Sequence, residues 1–227
     1  MKPDSVGTPD IYLDAKLKKA QPESGVWCWT MSPSKYIQEA VRNTEKHING
    51  NFDGKYSFKR NALNPFPLGY EAAIDTTPLL PPDEASYYNS VIGMLRWMVE
   101  IGRVDINTEV SELSSFLAMP RRCHMDVAMH VMSYLQHKHN SRLAFDPTYA
   151  NIDYEKFNKK ADWTSFYGEG KEALPPNAPK PLRKEVELYM FVDSDNAGDK
   201  ATRRSRTGFM IFMNMALINW CSYPSQP

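Results

Sequence analysis

Three aspartates, Asp193, Asp195 and Asp199, gather where the apolar run ELYMFVD ends, and a basic run, KATRRSR, follows them at once. Carboxylates are the natural oxygen ligands of hard cations such as Mg2+. A charge placed at the end of a buried strand is costly unless something pairs with it. Asp193 holds that position and is read as the first ligand of a cation site. The competing reading is an acidic surface loop. Arg203, Arg204 and Arg206 stand just beyond the acids, where they would suit a phosphate backbone.

A second charged stretch lies between Arg121 and Arg142. It holds four Lys or Arg residues, a single acid (Asp126) and four of the five histidines. Arg121, Arg122 and Lys138 are the candidate contacts if this stretch tracks a nucleic-acid backbone. The plainer alternative is a solvated helix face with basic residues towards its C-terminal end, where they suit the helix dipole. The histidines do not point to zinc: His137 and His139 are two apart, and His124 and His130 are six apart, so neither pair shares a helix face.

The elements that must position these residues follow from periodicity. IYLDAKLKK and VWCWTM read as two strands of a hairpin joined through Gln21–Gly25. Ser32-Pro33 then reads as a cap and first helical residue. Ile37, Ala40, Val41, Thr44 and Ile48 fall on one face of the helix that follows, completing a hairpin-plus-helix unit over 1–50. Residues 51–85 are rich in turn formers and proline and read as an extended connection over the surface. A helical segment over 86–145 follows. Its first stripe is Tyr88, Val91, Ile92, Leu95 and Val99. Its second is Ile106, Val110, Leu113 and Leu117, entered at Asp105 as a cap and stopped before Pro120. The third carries Met125, Ala128, Met129, Met132 and Leu135. Three such helices should bundle. Residues 146–187 form a polar, Pro-rich linker in which Tyr154, Phe157, Trp163, Phe166 and Tyr167 are scattered singly. The last segment, 188–227, holds three strands. The fold class is therefore α+β.

Composition adds limits. Net charge is zero over 227 residues, so any nucleic-acid surface must be local. Cys28, Cys123 and Cys221 are odd in number and far apart, which suggests neither a disulfide framework nor a metal site and fits an intracellular setting. MKPDSVGTPD has no apolar core, so no signal peptide is expected, and no apolar run approaches the ~20 residues that cross a bilayer.

These runs, in this order, resemble the polyprotein of copia-type long-terminal-repeat retrotransposons, from the end of the reverse transcriptase into ribonuclease H. YLDAKLKK and WTMSPSKYIQEAVRN look like the end of the palm and the first thumb helix. YYNSVIGMLRWM, RVDI, VSELSSF and MPRRCHMDVAMHVMSYLQHKHNSRLAF look like the thumb and connection helices. FVDSDNAGD, RSRTGF and INWCS look like the first three strands of ribonuclease H. There are departures. Asp14 stands where the family usually reads Tyr-Leu-Gly, and Ser222-Tyr223-Pro224-Ser225-Gln226 replaces a usual Ser-x-Lys-Gln.

The resemblance implies RNA-directed DNA synthesis and cleavage of the RNA strand of RNA–DNA hybrids in the parent, with Mg2+ as cofactor. The polymerase Tyr-x-Asp-Asp would precede residue 1. Asp193 matches the first ribonuclease H carboxylate, whereas the second would come from a helix after the third strand. Two-cation catalysis needs several carboxylates around a cation pair. The expectation is therefore an incomplete site that binds no metal productively and has no activity alone. A nucleic-acid-binding remnant, or a structural protein reusing the helical segment, are the alternatives. Expected partners are an RNA–DNA hybrid, the rest of the polyprotein and no membrane. Because the final strands are apolar on both faces, an uncovered sheet and self-association are also expected.

Overall fold

The computed structural model describes residues 8–153, 164–168, 175–179 and 185–224. Their fold is α+β, with two antiparallel sheets around and beside a helical core. The first sheet has the order β1 (Ile11–Tyr12), β2 (Ala15–Ala20), β3 (Cys28–Ser32) and β4 (Leu143–Phe145). The expected first strand is thus two strands, because the chain reverses at Leu13 and Asp14 while Tyr12 pairs with Ala15. Both turn residues have positive φ, 48° and 65°. A two-residue reversal that follows the strand twist requires this, and glycine adopts it with least strain. The fourth strand is absent from the sequence reading, since Leu-Ala-Phe is too short to show alternation.

Helix α1 (Ser34–Asn51) buries Ile37, Ala40, Val41, Thr44 and Ile48, the stripe read from the sequence. Its start differs from that reading. Pro33 is the cap residue and makes no side-chain cap bond, while Ser32 ends β3 and its hydroxyl donates to Ser141 O at 3.0 Å. Helices α2 (Pro82–Glu100), α3 (Asn107–Ser114) and α4 (Arg122–His137) complete one core with α1. Asp105 does not cap α3, and the helix ends at Ser114 instead of running on towards Pro120.

Helix α4 is the largest departure. It buries ten of its sixteen residues, including His124, His130 and Ser133, so it is a central helix and not a solvated basic face. Its buried polar groups need partners, and the 51–81 segment supplies them. Asn64 O lies 2.9 Å from His130 Nε2, Ala72 O lies 3.3 Å from His124 Nε2, and Lys59 N donates to Ser133 Oγ at 2.9 Å. Tyr56, Ala62 and Ala72 from the same segment are buried. The proline-rich connection therefore wraps the core.

Two polar networks lock the helices. Arg103 is fully buried, and its guanidinium grips Asp105 through Nε (2.8 Å) and Nη2 (2.6 Å). The Tyr134 hydroxyl donates to the same carboxylate at 2.9 Å, and the guanidinium lies over the Tyr134 ring. Burial alone would raise the Asp105 carboxyl, but the Arg103 hydrogen bonds and charge outweigh it and hold it below the usual range. In the second network, buried Glu84 accepts from Lys55 and from the Tyr56 hydroxyl, and Arg122 stacks over the Tyr56 ring at 4.3 Å.

The second sheet is a meander of β5 (Leu188–Ser194), β6 (Arg206–Met213) and β7 (Ala216–Pro224). It adjoins the core through β7 and α3, with Trp220 packed on the helical cluster. Asn214 pins one corner: its backbone N–H donates to Glu187 O (2.7 Å), its Oδ1 accepts from Glu187 N (2.9 Å), and its Nδ2 donates to Pro147 O (2.9 Å). Of the linker expected at 146–187, the described parts are 146–153, a single helical turn (α5, Thr164–Tyr167), Gly168, an exposed Pro175–Pro179 turn and 185–187. Tyr154, Phe157 and Trp163 lie outside the described residues, as do Ser225 and Gln226.

Two outcomes follow. Asp14→Gly should raise stability by about 0.5–1 kcal/mol by relieving the left-handed backbone, as read by chemical denaturation. An unchanged or lower midpoint would contradict this. The second concerns His130, whose burial pushes its pKa below the ordinary 6.5, helped by the Lys59 charge and opposed by the Asn64 bond. A depressed pKa contributes stability above 6.5 that is lost as pH falls through the folded value. The urea midpoint of the parent chain should therefore drop more steeply from pH 7.5 to 6 than that of His130→Asn. Parallel profiles would count against a buried neutral histidine.

Candidate functional site

Asp193 lies in β5 opposite Gly208 of β6 and is exposed to solvent. The expected burial at a strand end is not found: β5 is the edge strand of its sheet, and all its residues but Tyr189 are exposed. Among the described residues, no three His, Cys, Asp or Glu side chains converge on a point that could hold a cation. Asp195 and Asp199, which follow Asp193 in sequence, face the β5–β6 connection instead.

Both build that connection. Asp195 Oδ1 accepts the Arg206 amide at 2.6 Å, while its own amide donates to Arg206 O at 3.0 Å. A Cβ at Gly198 would meet the Asp195 carboxylate, which would have to shift to admit it. Asp199 Oδ1 accepts the amides of Ala201 and Thr202, each at 2.9 Å. Burial would raise the Asp199 carboxyl, but these amides, the Thr202 hydroxyl and the Arg204 charge outweigh it and set it below the usual range. The reversal closes with Arg203 at φ 59°.

The turn leans over a cleft of about 290 Å³ whose opposite wall is Tyr70, Glu71, Thr108, Glu112 and Phe116. Lys200 pairs across it with Glu71. Arg206 Nη1 donates to Ser111 Oγ at 2.6 Å, and Ser111 Oγ donates onward to Ser222 O at 2.6 Å. Glu112 has its carboxyl pushed up by burial, against the opposing charge of Arg206. Acids and bases alternate around this cleft, so it presents no single sign of charge. Its chemistry is that of a polar seam between sheet and core. Ser111 and Glu112 lie within the VSELSSF run; Glu71 had no signal in the sequence.

The basic candidates divide. Arg121 donates through Nη1 to Thr77 O (2.5 Å), and Arg122 donates to Lys55 O and pairs with Asp126 (3.4 Å), so both guanidiniums serve the fold. Lys138 is exposed just beyond the C-terminal end of α4, about 24 Å from Arg122 along a helix of this length. Arg206 is held by Ser111, whereas Arg203 and Arg204 are exposed at the tip of the turn. The structure thus sets Lys200, Arg203 and Arg204 on one turn, while Arg121 and Arg122 are engaged by backbone carbonyls of the core. No described helix is long and apolar enough to cross a membrane.

Asp199→Ala should cost about 1 kcal/mol, the usual worth of a turn-capping carboxylate, and should speed amide exchange over 200–206. Unchanged exchange there would show that the carboxylate does not hold the turn. In comparisons with known proteins, no family model, no curated protein and no solved structure matches this chain.

Proposed function

We propose that the chain is a fragment of a copia-type retrotransposon polyprotein, running from the end of the reverse transcriptase into the first strands of ribonuclease H, and that it has no catalytic activity alone. One observation carries this reading. A hairpin-plus-helix unit, a helical segment and a three-stranded antiparallel meander occur in the order of the family's motifs, with Asp193 on the first strand of the meander. Support also comes from RVDI and from the MPRRCHMDVAMHVMSYLQHKHNSRLAF run that holds Tyr134, both quoted for the resemblance. Arg103, Asp105 and Tyr134 form one network around the buried Arg103 guanidinium, a reason for those residue types to stand together.

Two-cation hydrolysis clamps the attacking and leaving oxygens between metals held by several carboxylates. Asp193 has no such company among the described residues. In the parent family the cofactor would be Mg2+, with Asp193 as one ligand. The nucleic-acid-binding reading is favoured by one observation, the exposure of Arg203 and Arg204 beside Lys200.

A labelled RNA–DNA hybrid tests both readings. With Mg2+, no cleavage is expected, and specific cleavage abolished by Asp193→Asn would overturn the inactive reading. Binding at the turn would engage two or three phosphates, giving a slope of about −2 to −3 in log affinity against log salt. Replacing Arg203 and Arg204 together by Ala should flatten that slope by about 2. A salt-independent response would remove the binding reading. An in-frame Tyr-x-Asp-Asp in the genomic sequence upstream would further support the family assignment.

A further inference from the structure

We propose that Thr202 is a phosphorylation site, read by a protein kinase that selects basic flanks, and that its phosphate loosens the seam between the second sheet and the helical core. Residues 200–204 are all exposed at the tip of the β5–β6 connection, and three of the five, Lys200, Arg203 and Arg204, are cationic. Thr202 stands two residues after the first cation and directly before the other two. A kinase takes its substrate as a short exposed segment, and the charge pattern across that contact sets which segment it takes. The turn offers a hydroxyl between positive charges, the complement of an acidic substrate groove.

Other hydroxyls with basic neighbours are less open. Ser57 lies between Lys55 and Lys59, but Tyr56 beside it is buried and the Lys59 amide is tied to Ser133. Ser141 has Lys138 and Arg142 near it in sequence, and its own carbonyl accepts the Ser32 hydroxyl at 3.0 Å. On the same turn, Ser205 is half-buried and its Oγ accepts the Ala197 amide at 3.1 Å. Thr207 is half-buried within β6. Thr202 is exposed and has three cations within two residues.

The co-reactant is a nucleoside triphosphate with Mg2+, bound by the kinase. Thr202 Oγ1 attacks the γ-phosphorus, the new O–P bond forms as the bond to the departing diphosphate oxygen breaks, and the hydroxyl proton passes to the kinase's catalytic carboxylate. The product carries about −1.5 to −2 charges at neutral pH. It replaces a hydroxyl that bonds the Asp199 carboxylate, whose Oδ1 also holds the amides of Ala201 and Thr202. Phosphate and carboxylate repel there, so the grip on those amides weakens. The phosphate draws in Lys200, Arg203 and Arg204 instead, and Lys200 is the residue that pairs with Glu71 across the cleft. Modification thus withdraws a cation from the seam.

The full chain incubated with Mg2+, ATP and protein kinase C, a kinase directed to basic flanks, should take up phosphate that mass spectrometry maps to Thr202. This mapping needs no variant. Thr202→Ala should abolish the uptake with an unchanged circular dichroism spectrum. Replacing Arg203 and Arg204 together by Ala should lower kcat/KM for the kinase by about tenfold or more. In the phosphorylated chain, amide exchange at Ala201 and Thr202 should quicken by about tenfold while that of helix α4 stays as it was. No uptake, phosphate on Ser57, Ser141, Ser205 or Thr207 in place of Thr202, uptake indifferent to the double substitution, or unaltered exchange in the turn would each overturn the inference.

Discussion

Helix α4 is buried on almost every side and yet carries two histidines and a serine among its buried residues. Polar groups enclosed in this way cost stability unless each finds a partner. That requirement organises the molecule. Residues 51–81 curl around α4 because their carbonyls and amides satisfy it, and Thr77 binds its first turn through the Cys123 amide and the Arg121 guanidinium. Each histidine directs a ring nitrogen to a backbone carbonyl, and burial lowers the pKa of both, which keeps them neutral. A segment rich in proline and turn formers suits this role, since it makes few hydrogen bonds of its own and leaves its carbonyls available.

The Arg103–Asp105–Tyr134 network shows the same economy on a smaller scale. A buried guanidinium is tolerated because a carboxylate meets it in bidentate fashion and a tyrosine hydroxyl bonds the same carboxylate. The Tyr134 hydroxyl is pushed up to about 12 by burial, with the Asp105 bond adding to the effect. The contacts join the start of α3 to the far end of α4. Charge here fixes the relative position of two helices, a role separate from solubility or ligand binding.

Much of the helical core was legible in the sequence because periodicity reports burial directly, as with Ile37, Ala40, Val41, Thr44 and Ile48, and with Tyr88, Val91, Ile92, Leu95 and Val99. The α+β class and the three final strands were legible for the same reason. Termini were less so. Asp105 and Ser32 are good capping residues by type, but tertiary partners, Arg103 and Ser141, claim them instead. The basic character of 121–142 was misleading because a guanidinium looks the same in sequence whether it faces water or a carbonyl. The candidate site suffered similarly: Asp195 and Asp199 sit close to Asp193 in sequence, but backbone amides take their oxygens. Glu71 reaches the cleft only through the fold, and no local pattern could announce it.

The corner held by Asn214 has a mechanical meaning. The Asn214 Nδ2–Pro147 bond, the Met215 N–Thr148 bond, the Ser111 relay near the opposite end of β7, the Lys200–Glu71 pair and the Trp220 contact are described fastenings between this sheet and the rest of the fold. Within the sheet, by contrast, every β5 residue is paired along the full strand. Cohesion inside the sheet thus exceeds its adhesion to the core. Under thermal fluctuation such a unit swings or detaches whole before its strands separate, as a cooperative block with its own opening free energy. The polar seam beneath it is then a hinge line, wetted whenever the block lifts.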